Sequence, residues 1–133
     1  MFMNEPAKKS GGYIILIVDD NEAYRKTLSL VLTTEGFRVI QAGHGTEALA
    51  LMGLDTPDLI LSDVHMPVMD GIVFLDWIKK DPRYTQIPVV MLTNVQEELD
   101  NAVKHGAEEG ILKATLTPKQ VAMVCQKHLV VRV

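Results

Sequence analysis

Five side chains with chemistry to offer stand directly behind short apolar runs. Asp19 and Asp20 follow Ile14 to Val18, Asp63 follows Leu59 to Ser62, Thr93 follows Val89 to Leu92, and Lys113 follows Glu109 to Leu112. If these run ends meet, three carboxylates share one rim and repel each other. The usual relief is a hard divalent cation or raised pKa values, and Mg²⁺ is the natural guest. Two charges from the cation and one from Lys113 would balance the three carboxylates. Phosphoryl transfer is mostly positioning and electrostatic stabilisation. A carboxylate nucleophile, a metal, a lysine and a hydroxyl donor therefore make a sufficient kit.

For the five groups to meet, the runs must be parallel strands. Ile14 to Val18 is apolar and rich in β-branched residues, as expected of a strand covered on both faces. Glu22 to Glu35 follows with Tyr24, Leu28, Val31 and Leu32 on one helical stripe, and Gly36 stands where a C-terminal cap belongs. Phe37 to Gln41 reads as a second strand and Thr46 to Met52 as a helix with Thr46 as N-cap. Strands at Leu59 to Ser62, Val89 to Leu92 and Glu109 to Leu112 alternate with helices at Gly71 to Lys80, Gln96 to Lys104 and Thr117 to Leu129. Thr117, Pro118 and Gln120 supply the cap, the first-turn proline and the capping-box partner of the last helix. Strands and helices in strict alternation imply right-handed crossovers and a parallel α/β sheet with helices on both faces. Ligands of such sheets sit beyond the carboxyl ends of the strands, where the strand order reverses.

The run Val18-Asp19-Asp20-Asn21-Glu22, the run Asp63-Val64-His65-Met66-Pro67-Val68-Met69-Asp70-Gly71, Thr93 after Pro88 to Leu92, and Lys113 together resemble the receiver domain of bacterial response regulators. The resemblance runs from Ile14 to about Leu129. It implies a flavodoxin-like, doubly wound five-stranded sheet of order 2-1-3-4-5. It implies that Asp63 accepts a phosphoryl group from a sensor histidine kinase or a histidine phosphotransfer protein. Asp20 would then bind Mg²⁺ directly and Asp19 mainly through water, with Asp63 and the backbone carbonyl of His65 completing the protein ligands. Thr93 would donate to one phosphoryl oxygen and Lys113 would pair with another. Such a protein switches partner binding and acts on no substrate beyond its own phosphorylation and dephosphorylation.

Two positions depart from that family's pattern. Gly110 stands three before the lysine, where Tyr or Phe is usual, and Ala114 follows the lysine, where proline is often found. The first removes the usual aromatic switch; the second predicts a trans peptide after Lys113. Neither change touches the phosphorylation chemistry. A degenerate receiver used only for docking remains an alternative, although it predicts a broken acidic pocket. A true flavodoxin would place small and hydroxyl residues where Asp19 and Asp20 would repel phosphate. A phosphatase-like enzyme on a similar sheet would want Asp-x-Asp after the first strand.

Other residues have plainer readings. His44, His65, His105 and His128 lack ligand spacing, so His65 is read as a loop residue with only its carbonyl functional. Gly71 is read as serving backbone geometry at a helix start. Ile72, Leu75 and Ile78 are expected to face the sheet, which sends Val73 and Trp77 outward, either as a contact surface or with Trp77 folded over Tyr84. Cys125 is expected to be a small core residue.

At 133 residues, 47% hydrophobic and 23% charged, the sequence fits one domain with a real core. A net charge of −4 without a basic stripe argues against nucleic-acid binding. One cysteine excludes an internal disulfide, and no run approaches the ~20 apolar residues of a membrane span; a cytoplasmic location is expected. Met1 to Gly12 reads as a flexible tail and residues 13–133 as the domain. The sequence after Leu129 leaves open whether this is a stand-alone regulator or part of a longer protein.

Overall fold

The computed structural model describes residues 12–129. Five strands, β1 (Ile14–Val18), β2 (Arg38–Ala42), β3 (Leu59–Asp63), β4 (Val89–Thr93) and β5 (Glu109–Leu112), alternate with α1 (Glu22–Thr34), α2 (Gly45–Met52), α3 (Gly71–Lys80), α4 (Gln96–Lys104) and α5 (Pro118–Leu129). All pairings are parallel and the order is β2-β1-β3-β4-β5. The expected doubly wound sheet is therefore the observed one. All but the last member of the expected tail lies outside the described residues.

Burial explains the apolar runs. Every residue of β1, β3 and β4 is buried, while the edge strands β2 and β5 are only partly so. Successive side chains alternate between faces. Ile15 and Ile17 pack with Leu28, Leu32, Val121 and Cys125 under α1 and α5. Leu16 and Val18 pack with Met52, Phe74, Leu75, Ile78 and Ala102 under α2, α3 and α4. Cys125 is thus a core residue, and burial pushes its thiol up to about 12.

Caps fix the helix ends. Gly36, at φ 98°, ends α1 with Phe37 N–H bonded to the Leu32 carbonyl at 3.1 Å and Gly36 N–H to that of Thr33 at 3.0 Å. That use of Phe37 as a capping donor moves the start of β2 one residue later than its sequence suggests. At α2 the cap is His44, not Thr46: the His44 Nδ1 accepts from Glu47 N–H at 3.2 Å. An imidazole lone pair replaces the expected hydroxyl two residues earlier. The capping box of α5 is present, with Gln120 N–H to Thr117 Oγ1 at 3.2 Å and Thr117 N–H to Gln120 Oε1 at 2.8 Å.

Phe74 takes the inward position on α3 beside Leu75 and Ile78, and Ile72 is only partly buried. Val73 and Trp77 do point outward, Trp77 being 58% exposed, while Tyr84 is buried beneath the Arg83 guanidinium at 4.8 Å. Among the described residues every peptide is trans, that between Lys113 and Ala114 included.

Candidate functional site: an acidic pocket at the strand ends

Because the strands are parallel, their carboxyl ends share one rim. Val18 pairs with Ser62, Asp63 with Leu92, and Thr93 with Leu112, so the next residues of neighbouring strands fall side by side. The order reverses between β1 and β3, and there the groups converge. Carboxylate oxygens of Asp19, Asp20 and Asp63 lie within 4.8 Å of one another. Lys113 Nζ sits 2.8 Å from Asp19 Oδ2 and 3.5 Å from Asp63 Oδ1.

Each side chain is held by its neighbourhood. The backbone of Asp19 is pinned by its N–H to the Ala42 carbonyl at 3.1 Å and by Arg25 Nη1 to its own carbonyl at 2.6 Å. Both its carboxylate oxygens are engaged, Oδ1 accepting from Asn21 N–H at 2.9 Å and Oδ2 from Lys113. Asp20, the next residue, is exposed. Asp63 ends β3, and the loop beyond it is pulled tight by Val64 N–H to Leu92 at 3.1 Å and Gly71 N–H to Val64 at 2.7 Å. Gly71 is required by space: a Cβ there would lie 2.1 Å from the Asp63 carbonyl oxygen and 2.8 Å from Val64 Cα. Close approach of α3 to the end of β3, not an unusual φ, is its reason.

Lys113 opens a single 3₁₀ turn, Lys113–Thr115, that the sequence does not announce. Ala114 N–H donates to Asn94 Oδ1 at 3.1 Å, tying that turn to the loop after Thr93. The ammonium lies 4.8 Å above the ring of Tyr24, a cation–π contact that steers it into the pocket. Tyr24 had the look of a plain core residue on its helical stripe. Its hydroxyl is buried without a hydrogen-bond partner, and burial, then the charges of Asp19 and Asp63, push it up to about 12.

One ammonium does not neutralise three carboxylates. Burial first, then the charge of Asp19 and to a lesser degree that of Asp20, raise the Asp63 carboxyl to about 6, with Lys113 offsetting only part. The donor set is all oxygen and is short of positive charge, which is what a hard cation asks for. The three aspartates could therefore hold a metal ion.

Thr93 is buried at the end of β4, but its hydroxyl donates to Glu98 Oε1 at 2.8 Å. The other oxygen of Glu98 lies 2.6 Å from His65 Nε2. His65 is a loop residue as expected, yet its imidazole is engaged, a role that no ligand spacing could have revealed. Beside it, Val68 holds φ 71° in a three-residue turn closed by Met69 N–H to the Pro67 carbonyl at 2.8 Å.

Known proteins share this architecture. The sequence model of the response regulator receiver domain matches residues 15–124. The two-component response regulator ORR5 of Oryza sativa subsp. japonica is 32% identical over 125 residues, 92% of either chain. The response regulator PleD of Caulobacter vibrioides is 41% identical over 101 residues, 74% of this chain and 22% of that one. Among solved structures, the chemotaxis protein CheY4 of Vibrio cholerae superposes with a TM-score of 0.81 at 32% identity, covering 88% of this chain and 98% of that one. The receiver domain of NtrX from Brucella abortus gives 0.80 at 29% identity, over 86% and 97%. Matched along its sequence and through its whole sheet, this chain belongs to the response regulator receiver domain family of two-component signalling.

Proposed function

We propose that the chain is a phosphoryl-accepting switch in which Asp63 takes the phosphoryl group from a sensor histidine kinase or a histidine phosphotransfer protein. The observation that carries this reading is the placement of the Asp63 carboxylate. It ends a buried strand, faces the Lys113 ammonium at 3.5 Å and lies against Asp19 and Asp20. An Asp63 oxygen attacks phosphorus, the bond from phosphorus to the donor histidine nitrogen breaks, and the imidazole leaves. Lys113 pairs with one phosphoryl oxygen, and Thr93 donates to another.

Asp19, Asp20, Asp63 and the His65 backbone carbonyl would hold Mg²⁺. Bound there, the ion neutralises charge developing on the transferred oxygens. The hydrogen bonds of Asp19 divide the work between the paired aspartates. With Oδ1 and Oδ2 already accepting, Asp19 suits a water-mediated role and exposed Asp20 a direct one. A docking-only receiver is the second reading; the complete set of pocket residues speaks for the active one.

Intact mass after treatment with acetyl phosphate and Mg²⁺ tests the proposal. The wild type should gain one phosphoryl mass and Asp63→Asn none. Full incorporation in Asp63→Asn would overturn it.

A further inference from the structure

Glu98 joins three parts of the pocket mouth. It is the third residue of α4, it accepts the Thr93 hydroxyl proton at 2.8 Å, and it meets His65 Nε2 at 2.6 Å. A glutamate at this helical position commonly reaches back to the N–H of the capping residue. Here Val95 N–H is instead taken by Thr93 Oγ1 at 3.3 Å, and Val95 has no side-chain cap to offer. Thr93 therefore accepts from Val95 and donates to Glu98. A hydroxyl has a single proton, so this one is already committed.

We infer that Glu98 is a latch, a positioning residue that holds the Thr93 hydroxyl in the unphosphorylated arrangement and must release it when Asp63 carries a phosphoryl group. This rests on Asp63 being the acceptor. Two effects drive release in the same direction. The Thr93 proton can serve Glu98 or a phosphoryl oxygen but not both, and a phosphoryl group brings about −1.5 to −2 of charge toward a carboxylate that is only 24% exposed. Glu98 keeps His65 as a partner when it leaves Thr93. Because the first turn of α4 is tied to β4 through Thr93 by both Glu98 and Val95, release loosens the entry of α4. The two states thus differ by named contacts, as any population shift requires.

The test is calorimetric titration with the phosphoryl mimic beryllofluoride in Mg²⁺, using wild type, Glu98→Ala, Glu98→Gln, Thr93→Ala and the Thr93→Ala/Glu98→Ala double variant. Loss of the competing hydrogen bond should make Glu98→Ala bind roughly five- to tenfold tighter than wild type. Glu98→Gln should fall between, since its amide oxygen still accepts from Thr93. In the Thr93→Ala background the gain should shrink to about twofold, the part due to charge alone. Equal gains in both backgrounds, or none in either, would overturn the latch while leaving Asp63 as acceptor. Failure of wild type to bind beryllofluoride would overturn the acceptor reading and the latch with it. Without metal or mimic, amide exchange at residues 94–99 should be faster in Glu98→Ala and close to wild type in Glu98→Gln. Unchanged exchange in Glu98→Ala would also overturn the latch.

Discussion

Asp63 is where charge crowding and the proposed function meet. Its carboxyl is raised from an ordinary 3.8 to about 6, so the folded protein holds that proton more tightly than the unfolded chain does. A raised acid favours folding while it is protonated. Its contribution is complete below about pH 3.8 and is lost as pH rises through about 6. A shift of this size corresponds to about 3 kcal/mol. In chelator, urea denaturation should show Asp63→Asn more stable than wild type by roughly that amount at pH 8, with the gap closing near pH 4. Addition of Mg²⁺ at pH 8 should narrow the gap by stabilising wild type more. An equal stability of the two proteins at pH 8 in chelator would mean that the carboxylates are not in conflict. Asp19 and Lys113 belong to the same balance, since the ammonium is only 15% exposed and its nearest carboxylate is fully buried.

At the scale of elements, β5 and α4 carry what sets this receiver apart. Gly110 leaves no ring to rotate, and Leu99 fills the place. A Cβ on Gly110 would lie 2.8 Å from Leu99 Cδ2 and 3.0 Å from Leu99 Cβ. Glycine and leucine are thus a packed pair, with Leu99 buried from α4. Gly110→Tyr should cost about 1–3 kcal/mol through overpacking. Leu99→Ala made in that background should cost far less than Leu99→Ala alone, for which truncation of a buried leucine predicts about 2–5 kcal/mol. Denaturant midpoints of the four proteins give the coupling, and strictly additive losses would refute the pairing. The helix α3 is constrained differently. Asp70 Oδ1 accepts from Ile72 and Val73 N–H at 2.9 and 3.0 Å, and Gly71 lies against β3. Its first turn has little room to respond to events at Asp63.

For the whole molecule, the route of the signal follows from which elements are tied to the pocket by breakable bonds. The α4 entry depends on Thr93, Glu98 and His65, and the turn carrying Lys113 depends on Asn94 through Ala114 N–H. The far end of α4 is closed by Gly106, at φ 108°, with Ala107 N–H bonded to Ala102 at 3.0 Å. Beryllofluoride with Mg²⁺ should therefore alter amide exchange most across residues 94–104 and less around Gly110, with the surface at Val73 and Trp77 changing least. A response concentrated at Trp77 with residues 94–104 unchanged would move the output to α3. No helix among the described residues is long and apolar enough to cross a membrane.

The parallel sheet and the pocket were legible in the sequence because both are written locally. Fully buried strands need unbroken apolar runs, and a parallel sheet sets the residues after those runs on one rim, so Asp19, Asp20, Asp63, Thr93 and Lys113 could be gathered without coordinates. Caps at Gly36 and Thr117 were legible for the same reason, each being a matter of one turn of chain. What no local pattern encodes is contact between segments distant in sequence. The bond from Glu98 to His65, the Lys113 ammonium over Tyr24, and Leu99 in the place of a missing ring all depend on how α1, α4 and the β3 loop pack over the strand ends. Nothing in the sequence pairs His65 with Glu98, 33 residues apart, and only the fold brings them within 2.6 Å. The sequence determined which groups share the rim, because strand direction alone places them there. Tertiary packing decided which of those groups are already bonded, because hydrogen-bond partners are chosen by proximity in space.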